Sequence, residues 1–246
     1  MEYNPFSLEN KTILVTGSSS GIGRAIAIEC SRAGANLFLT GRDLTRLEET
    51  FSMLIPGNHS ILSADLSDMD GIDTLIDGLA QLDGVVHCAG IIKRFPLKFI
   101  NSENLENVMR INFFAPALLT QKLYKKKLLK NNASVVFISS VAYTFASIGN
   151  IMYMASKGAL NSFVKGIALE LASSGIRANA ILPGMVKTHL TAAISDAEIE
   201  KDIERYPLRR YGKPEEIAYA SIYLLSDATQ WTTGSLLTID GGLTLK

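Results

Sequence analysis

The sequence predicts an α/β fold, a single domain over residues 1–246 built on a doubly wound, seven-stranded parallel sheet with helices on both faces. Three observations carry this expectation. Short β-branched runs alternate with helical patterns from one end of the chain to the other, and a glycine-rich turn joins the first run to the first helix. No linker, repeat or low-complexity tract interrupts the rhythm.

The first strand is read over 11–16 (KTILVT), an apolar run suited to burial on both faces. Gly17-Ser18-Ser19-Ser20-Gly21-Ile22-Gly23 follows, and a helical pattern continues to residue 33. Gly17 permits the tight turn, Gly21 lets the backbone approach a pyrophosphate, and Gly23 allows the helix to pack closely on the strand. The helix-start N–H groups, carried by Ser19, Ser20 and Ile22 among others, then face phosphates. A second strand over 36–40 ends at Gly41-Arg42-Asp43. An arginine at this place accommodates a ribose 2′-phosphate, so Arg42 favours NADP(H) over NAD(H); Asp43 keeps NAD(H) open as a ribose-binding acid, with the cap or first-turn acid of the next helix as its first reading.

Further units repeat the pattern: helix 44–54, strand 60–64, helix 69–80, strand 84–87, helix 103–130, strand 134–139, a long amphipathic helix to 171, strand 177–182, helix 214–226 and strand 235–239. Asp65-Leu66, Ala89-Gly90, Ser140 and Pro183-Gly184 each fall just beyond a strand, at the sheet edge where open α/β folds bind ligands. Tyr153 and Lys157 lie four apart at the start of the long helix and so share a face. A cation fixed beside a phenol stabilises the phenolate and brings the Tyr153 pKa toward neutrality, which makes a proton donor of it. Ser140 is placed to hydrogen-bond the same substrate oxygen. With 8 Tyr and 24 Lys and Arg in the chain, about 0.8 such pairs arise by chance; Tyr206 with Arg210 is one and is read as surface or loop.

Acidic and basic residues balance at 24 each, which excludes a bulk electrostatic partner such as nucleic acid or an anionic membrane. No apolar run suits a membrane helix, residues 1–11 carry no leader pattern, and Cys30 and Cys88 read as buried free thiols; a reducing, cytoplasmic setting is expected.

On TGSSSGIG at 16–23, Asp65-Leu66, CAG at 88–90, Asn112, Ser140, YMASK at 153–157, PGMVKT at 183–188 and IDGG at 239–242, the chain resembles the short-chain dehydrogenase/reductase family over its whole length. The resemblance implies a Rossmann fold and a four-residue site. Tyr153 is the general acid or base, Lys157 holds the nicotinamide ribose, Ser140 orients the carbonyl, and Asn112 holds a water that links Lys157 to solvent. Pro183, Gly184, Val186 and Thr188 would cover the nicotinamide end, and Asp65 would meet the adenine amino group. His87-Cys88 stands where the family usually has two asparagines, and Ser20 where many NADP-using members have a basic residue.

Within the family, the bacterial 3-oxoacyl-acyl-carrier-protein reductase branch is the nearest resemblance, although Ser174 replaces the basic residue which that branch turns to its acidic carrier. Lys122, Lys125, Lys126, Lys127 and Lys130 form a basic helix end that could meet an acyl-carrier protein, but a solvated face is the first reading. A small-molecule carbonyl or alcohol is the expected substrate, chosen by segments 91–100, 143–152 and 189–211, with Phe95, Phe145, Ile148 and Tyr206 making a partly apolar pocket. An NAD-dependent sugar or small-alcohol dehydrogenase and a non-catalytic dinucleotide sensor are the alternatives. Apolar residues on several faces of helices 103–130 and 155–171 point to a homodimer or homotetramer.

Overall fold

The computed structural model describes residues 4–188 and 195–245. Seven strands form one parallel sheet in the order β3-β2-β1-β4-β5-β6-β7: β1 Thr12–Thr16, β2 Asn36–Thr40, β3 Ser60–Ile61, β4 Leu82–His87, β5 Leu129–Ile138, β6 Arg177–Pro183 and β7 Leu236–Ile239. The helices are α1 Gly21–Arg32, α2 Leu44–Ser52, α3 Met69–Asp77, α4 Ser102–Met109, α5 Ala115–Lys125, α6 Ile151–Glu170, α7 Asp196–Ile203 and α8 Pro214–Leu225. β1 lies between β2 and β4, so the direction of winding reverses there and a crevice opens at the carboxyl ends of β1 and β4.

Side chains alternate across the sheet and divide the core in two. Leu14, Val135 and Phe137 point to the face covered by α3, α5 and α6, where they meet Ile72, Leu119 and Leu160. Ile13, Val15, Val136 and Ile138 point to the other face, against Ile26 and Cys30 of α1 and Ile217 and Leu224 of α8. Each such aliphatic side chain contributes about 1.5–3 kcal/mol on burial, so a slip of one residue in any central strand would forfeit both layers at once.

Four expectations change. The helix read over 103–130 is broken by a π turn at Arg110–Phe114 and ends at Lys125; the chain reverses at Lys127 (φ 56°), and Lys130 already belongs to β5. The strand read over 60–64 is hydrogen-bonded as a strand only to Ile61, although Leu62 and Ala64 still donate to Leu39 and Gly41. A helix, α7, occupies part of the segment read as substrate loop, started by a capping box between Ser195 and Glu198; residues 189–194 of that segment lie outside the described residues. Tyr206, read as surface or loop, is buried, its ring edge-on to Tyr211 at 5.7 Å.

Among the described residues, no helix is long and apolar enough to cross a membrane. The lysines at the end of α5 and beyond meet acids of the same chain: Lys122 pairs with Asp73, Lys126 with Asp77 at 2.8 Å and Lys130 with Asp83 at 2.7 Å. Three of the five cations set out for an acidic partner are thus already engaged, and they stand on two different elements.

Candidate active site

The glycine turn is shaped by what passes behind it. The Oγ1 of Thr16, at the end of β1, accepts hydrogen bonds from the N–H groups of Cys88 and Ala89 at 3.0 and 3.1 Å, tying the turn to the loop after β4. A Cβ on Gly17 (φ +66°) would stand 2.8 Å from the Ala89 Cα, and one on Gly23 would overlap the Gly17 carbonyl. Only glycine fits either place. At Gly21 (φ +53°) the nearest atoms are the Cβ and Cγ2 of Thr188, 3.5 Å from where a Cβ would lie. The segment after β6 therefore reaches from Pro183, paired with Ile239 of β7, across to the start of α1.

The N-terminus of α1, which follows the glycine turn, is open to an anion. Asp43, Asp68, Asn101 and Ser195 cap α2, α3, α4 and α7 with their side chains, whereas Ser20 makes no such bond and no acid stands in the first turn of α1. Its N–H groups and positive dipole end thus suit a pyrophosphate. Arg24, which the sequence reading passed over, braces the turn from below by donating to the Ser19 carbonyl at 2.7 Å and to Thr50 Oγ1 at 3.0 Å. Asp43 is the N-cap expected, accepting from the Arg46 N–H at 3.1 Å. Arg42 is exposed and brings its Nη1 to 4.0 Å from Asp65 Oδ2. Asp65 also accepts from the Ser67 N–H at 2.9 Å, and Leu66 beside it is buried.

Asn112 sits in the π turn, buried, with both N–H groups of its carboxamide engaged and one bond accepted at its oxygen. Its Oδ1 accepts from the Ile91 N–H at 2.8 Å, while its Nδ2 donates to the Ile91 carbonyl at 2.9 Å and to Ser156 Oγ at 3.1 Å. Ser140 follows β5 and caps a short 3-10 turn through the Ala142 N–H at 3.1 Å. Lys157 is buried on α6 and donates to the Ile138 carbonyl at 2.7 Å, with its Nζ 5.6 Å from the Tyr153 ring centroid. A Cβ placed on Gly90 would lie 3.3 Å from Asn112 Oδ1 and 3.8 Å from Lys157 Nζ. Gly90 is exposed, and its lack of a side chain leaves a gap, open to solvent, beside a carboxamide oxygen and an ammonium.

The charge state differs from the expectation. Tyr153 is half-buried as a residue, but its hydroxyl lies deep enough that burial pushes it up to about 12, opposed by a hydrogen bond with Ser140. Lys157 does not lower it in this geometry, because its Nζ is turned to the Ile138 carbonyl; burial instead pulls Lys157 down to about 8. Cys30 is buried, as expected, whereas Cys88 is half-buried; burial of both thiols pushes them up to about 12 and keeps them neutral. His87 is stacked on Phe137 at 4.7 Å, its Nε2 2.9 Å from Thr120 Oγ1, and burial lowers it to about 3. Around the mouth, the Phe95 N–H donates to the Gly149 carbonyl at 2.9 Å and the Arg205 guanidinium lies over the Phe145 ring at 5.1 Å. Of the four apolar residues expected there, Phe95 and Phe145 are half-buried, Ile148 is fully exposed and Tyr206 belongs to the core.

A winding reversal faced by a glycine turn and an uncapped helix start defines a dinucleotide-binding protein. The family model described as enoyl-(acyl carrier protein) reductase matches residues 17–244. The 3-oxoacyl-(acyl-carrier-protein) reductase of Buchnera aphidicola is 32% identical over 240 residues, covering 96% of this chain and 98% of that protein. Among solved structures, a short-chain dehydrogenase/reductase of the glucose/ribitol dehydrogenase type from Brucella melitensis is 30% identical with a TM-score of 0.92, covering 99% of this chain and 100% of that one. An angucycline C-6 ketoreductase with bound NADP is 26% identical with a TM-score of 0.91, covering 98% of each chain. The chain belongs to the short-chain dehydrogenase/reductase family and is an NAD(P)-dependent oxidoreductase acting on CH–OH groups or the corresponding carbonyls.

Proposed function

We propose that this chain is an NADP(H)-dependent reductase of a small-molecule ketone, with a 3-oxoacyl thioester as the first substrate class to test, and that Tyr153 is its general acid. The observation that supports this reading above others is a chain of neighbours drawn from a π turn, a strand end and one helix: Asn112 and Lys157 border Gly90, Lys157 lies 5.6 Å from the Tyr153 ring, and Tyr153 is hydrogen-bonded with Ser140. A sensor of dinucleotides has no physical need of such a cluster.

The bound nicotinamide supplies or accepts the hydride. Gly17, Ser19, Ser20, Gly21, Ile22 and Gly23 hold its pyrophosphate; Arg42, Asp65 and Leu66 hold the adenosine end; Ala89, Gly90, Pro183, Gly184, Val186 and Thr188 border the nicotinamide half. The Ser140 hydroxyl, held at the end of β5, donates to the substrate oxygen and fixes its distance from Tyr153. As negative charge develops on that oxygen, the Tyr153 hydroxyl passes its proton there. A high Tyr153 pKa keeps the phenol protonated at neutral pH, the form an acid requires. The charge left on the phenolate is met by the Lys157 ammonium once a ligand draws Nζ away from Ile138. A water in the gap at Gly90, held by Asn112 Oδ1 and Lys157 Nζ, returns the proton. In the oxidative direction the same groups act in reverse, with Tyr153 as base.

The 2′-phosphate assignment rests on Arg42 as the cation at the end of β2. A second reading, an NAD-dependent sugar or small-alcohol dehydrogenase, draws support from the Asp65 carboxylate beside that arginine and from the glucose/ribitol dehydrogenase likeness. Assay of the purified chain with NADPH and NADH against acetoacetyl thioesters, simple ketones and keto sugars separates the two. Turnover of a ketone with NADPH that disappears in Tyr153→Phe while NADPH still binds is the expected result; turnover surviving in Tyr153→Phe would sink the assignment.

A further inference from the structure

Ser156 occupies the position before Lys157, is fully buried, and touches two of the proposed site residues at once. Its Oγ donates to the Tyr153 carbonyl at 2.7 Å, one turn back along α6, and accepts from Asn112 Nδ2 at 3.1 Å. Because the hydroxyl proton is spent on Tyr153, its lone pairs face Asn112, and the second N–H of that carboxamide has this oxygen as its partner. The other N–H and the Oδ1 of Asn112 are taken by the backbone of Ile91. The π turn is therefore fastened on one side to the loop after β4 and on the other to the helix that carries Tyr153 and Lys157, by the hydrogen bond to Ser156 and by the Phe113 ring set edge-on to Phe163 at 6.1 Å.

We infer that Ser156 is a positioning residue, which sets the width of the gap at Gly90 by holding Asn112 in register with Tyr153 and Lys157. The inference rests on the reading of the site given above. Removing the hydroxyl strands a buried amide N–H, and a group so stranded moves toward another partner. The carboxamide oxygen then withdraws from the space it shares with Lys157. Its dipole favours the ammonium, so its retreat makes Lys157 easier to deprotonate, and the fall of rate at alkaline pH moves to lower pH.

The test is a double-mutant cycle on ketone reduction with NADPH, followed from about pH 6 to about pH 10. Ser156→Ala is expected to lower kcat about tenfold, the equivalent of one hydrogen bond, with KM for NADPH little changed and the alkaline limb displaced to lower pH. Ser156→Thr, which keeps the hydroxyl, is expected to restore both. In an Asn112→Ala background Ser156→Ala should cost nothing further, since the residue it positions is gone. Equal losses in the two backgrounds, or a Ser156→Ala protein with the wild-type kcat and pH profile beside an inactive Tyr153→Phe, would overturn the role of Ser156 alone. Should Ser156→Ala not fold, Ser156→Cys, a weaker acceptor of the same reach, must show the displaced limb or the role falls. An active Tyr153→Phe would overturn the site reading and the role of Ser156 with it.

Discussion

Arg42 Nη1 stands 4.0 Å from Asp65 Oδ2, joining the ends of β2 and β3 across the adenosine side of the crevice. The pair is exposed, with the arginine side chain at 65% and the aspartate at 43%, so the contact itself contributes well under about 1 kcal/mol. On the proposed reading its value is orientation: the guanidinium would meet a ribose 2′-phosphate, with which it would form stronger charge-assisted bonds than with the carboxylate. Arg42→Ala is expected to weaken NADPH binding about tenfold to a hundredfold and to leave NADH binding within about threefold, as read by fluorescence titration. Equal losses for both dinucleotides would place the phosphate elsewhere.

Burial of Lys157 sets activity and stability against each other along the pH axis. The folded-state pKa is about 8, below the ordinary 10.5, so between those values the unfolded chain binds more protons than the folded one. Stability conferred at this site therefore rises with pH through that window, and below about 8 the full penalty of a buried charge is present. A Lys157→Met protein lacks this dependence: its stability relative to wild type should be higher at pH 7 than at pH 10 by on the order of 3 kcal/mol, measured by urea unfolding at both. Reduction, which uses the ammonium, should fall as pH rises through about 8. A stability difference that is flat with pH would mean that Lys157 titrates as if in water.

The seven strands and the ligand-binding edge of the sheet were legible because β-branched runs and glycine turns are local signals; β2 begins and ends where its sequence pattern does. The break inside residues 103–130 was not. RINFF carries no helix breaker, and the π turn arises because Asn112 is drawn to Ile91 and Ser156 by contacts that no local pattern encodes. Lys127 in a left-handed conformation ends α5 locally, with the Leu128 N–H turning back to the Leu123 carbonyl at 2.9 Å, but a lysine carries no signal for a place that glycine usually fills. Tyr206 sits among charged residues and reads as surface, yet Tyr211 and the Gly241 turn enclose it. Of the site, Ser140, Tyr153 and Lys157 could be found from position and spacing. Ser156 could not, because a serine inside a helix looks the same whether its hydroxyl is idle or shared between two working groups.

Gly90 gives the sharpest test of the proposed water. A methyl added there would press on Asn112 Oδ1 at 3.3 Å and take the space between it and Lys157 Nζ without demanding an unusual backbone conformation. Gly90→Ala should fold, bind NADPH within a few-fold of wild type, and lose about tenfold to a hundredfold in kcat, because it blocks proton return rather than substrate entry. Stopped-flow measurement of a single turnover separates this from a blocked site. A normal first turnover followed by slow later ones would implicate resupply, and a failed first turnover would show that the methyl obstructs the reacting groups themselves.

We propose assembly from two groups of outward apolar residues. Leu105 on α4, Phe114 in the π turn, and Leu118 and Tyr124 on α5 are all partly exposed along one stretch of helix. Leu169, at the end of α6, is 81% exposed, and fully exposed Trp231 lies in the turn leading to Gly234, where an added Cβ would be 3.6 Å from the Cβ of Ala168. Exposed apolar patches mark interaction surfaces, and a 222 tetramer needs two distinct self-complementary surfaces where a dimer needs one. Light scattering of the wild type is expected to give four chains. Leu118→Arg should disrupt the proposed α4–α5 interface, yield dimers or single chains, and lower thermal stability, since α5 also flanks the π turn that bears Asn112. Leu169→Ser with Trp231→Ser should stop at the dimer and leave ketone reduction intact. A wild type of one chain at micromolar concentration would end the argument, and both groups would then need partners of another kind.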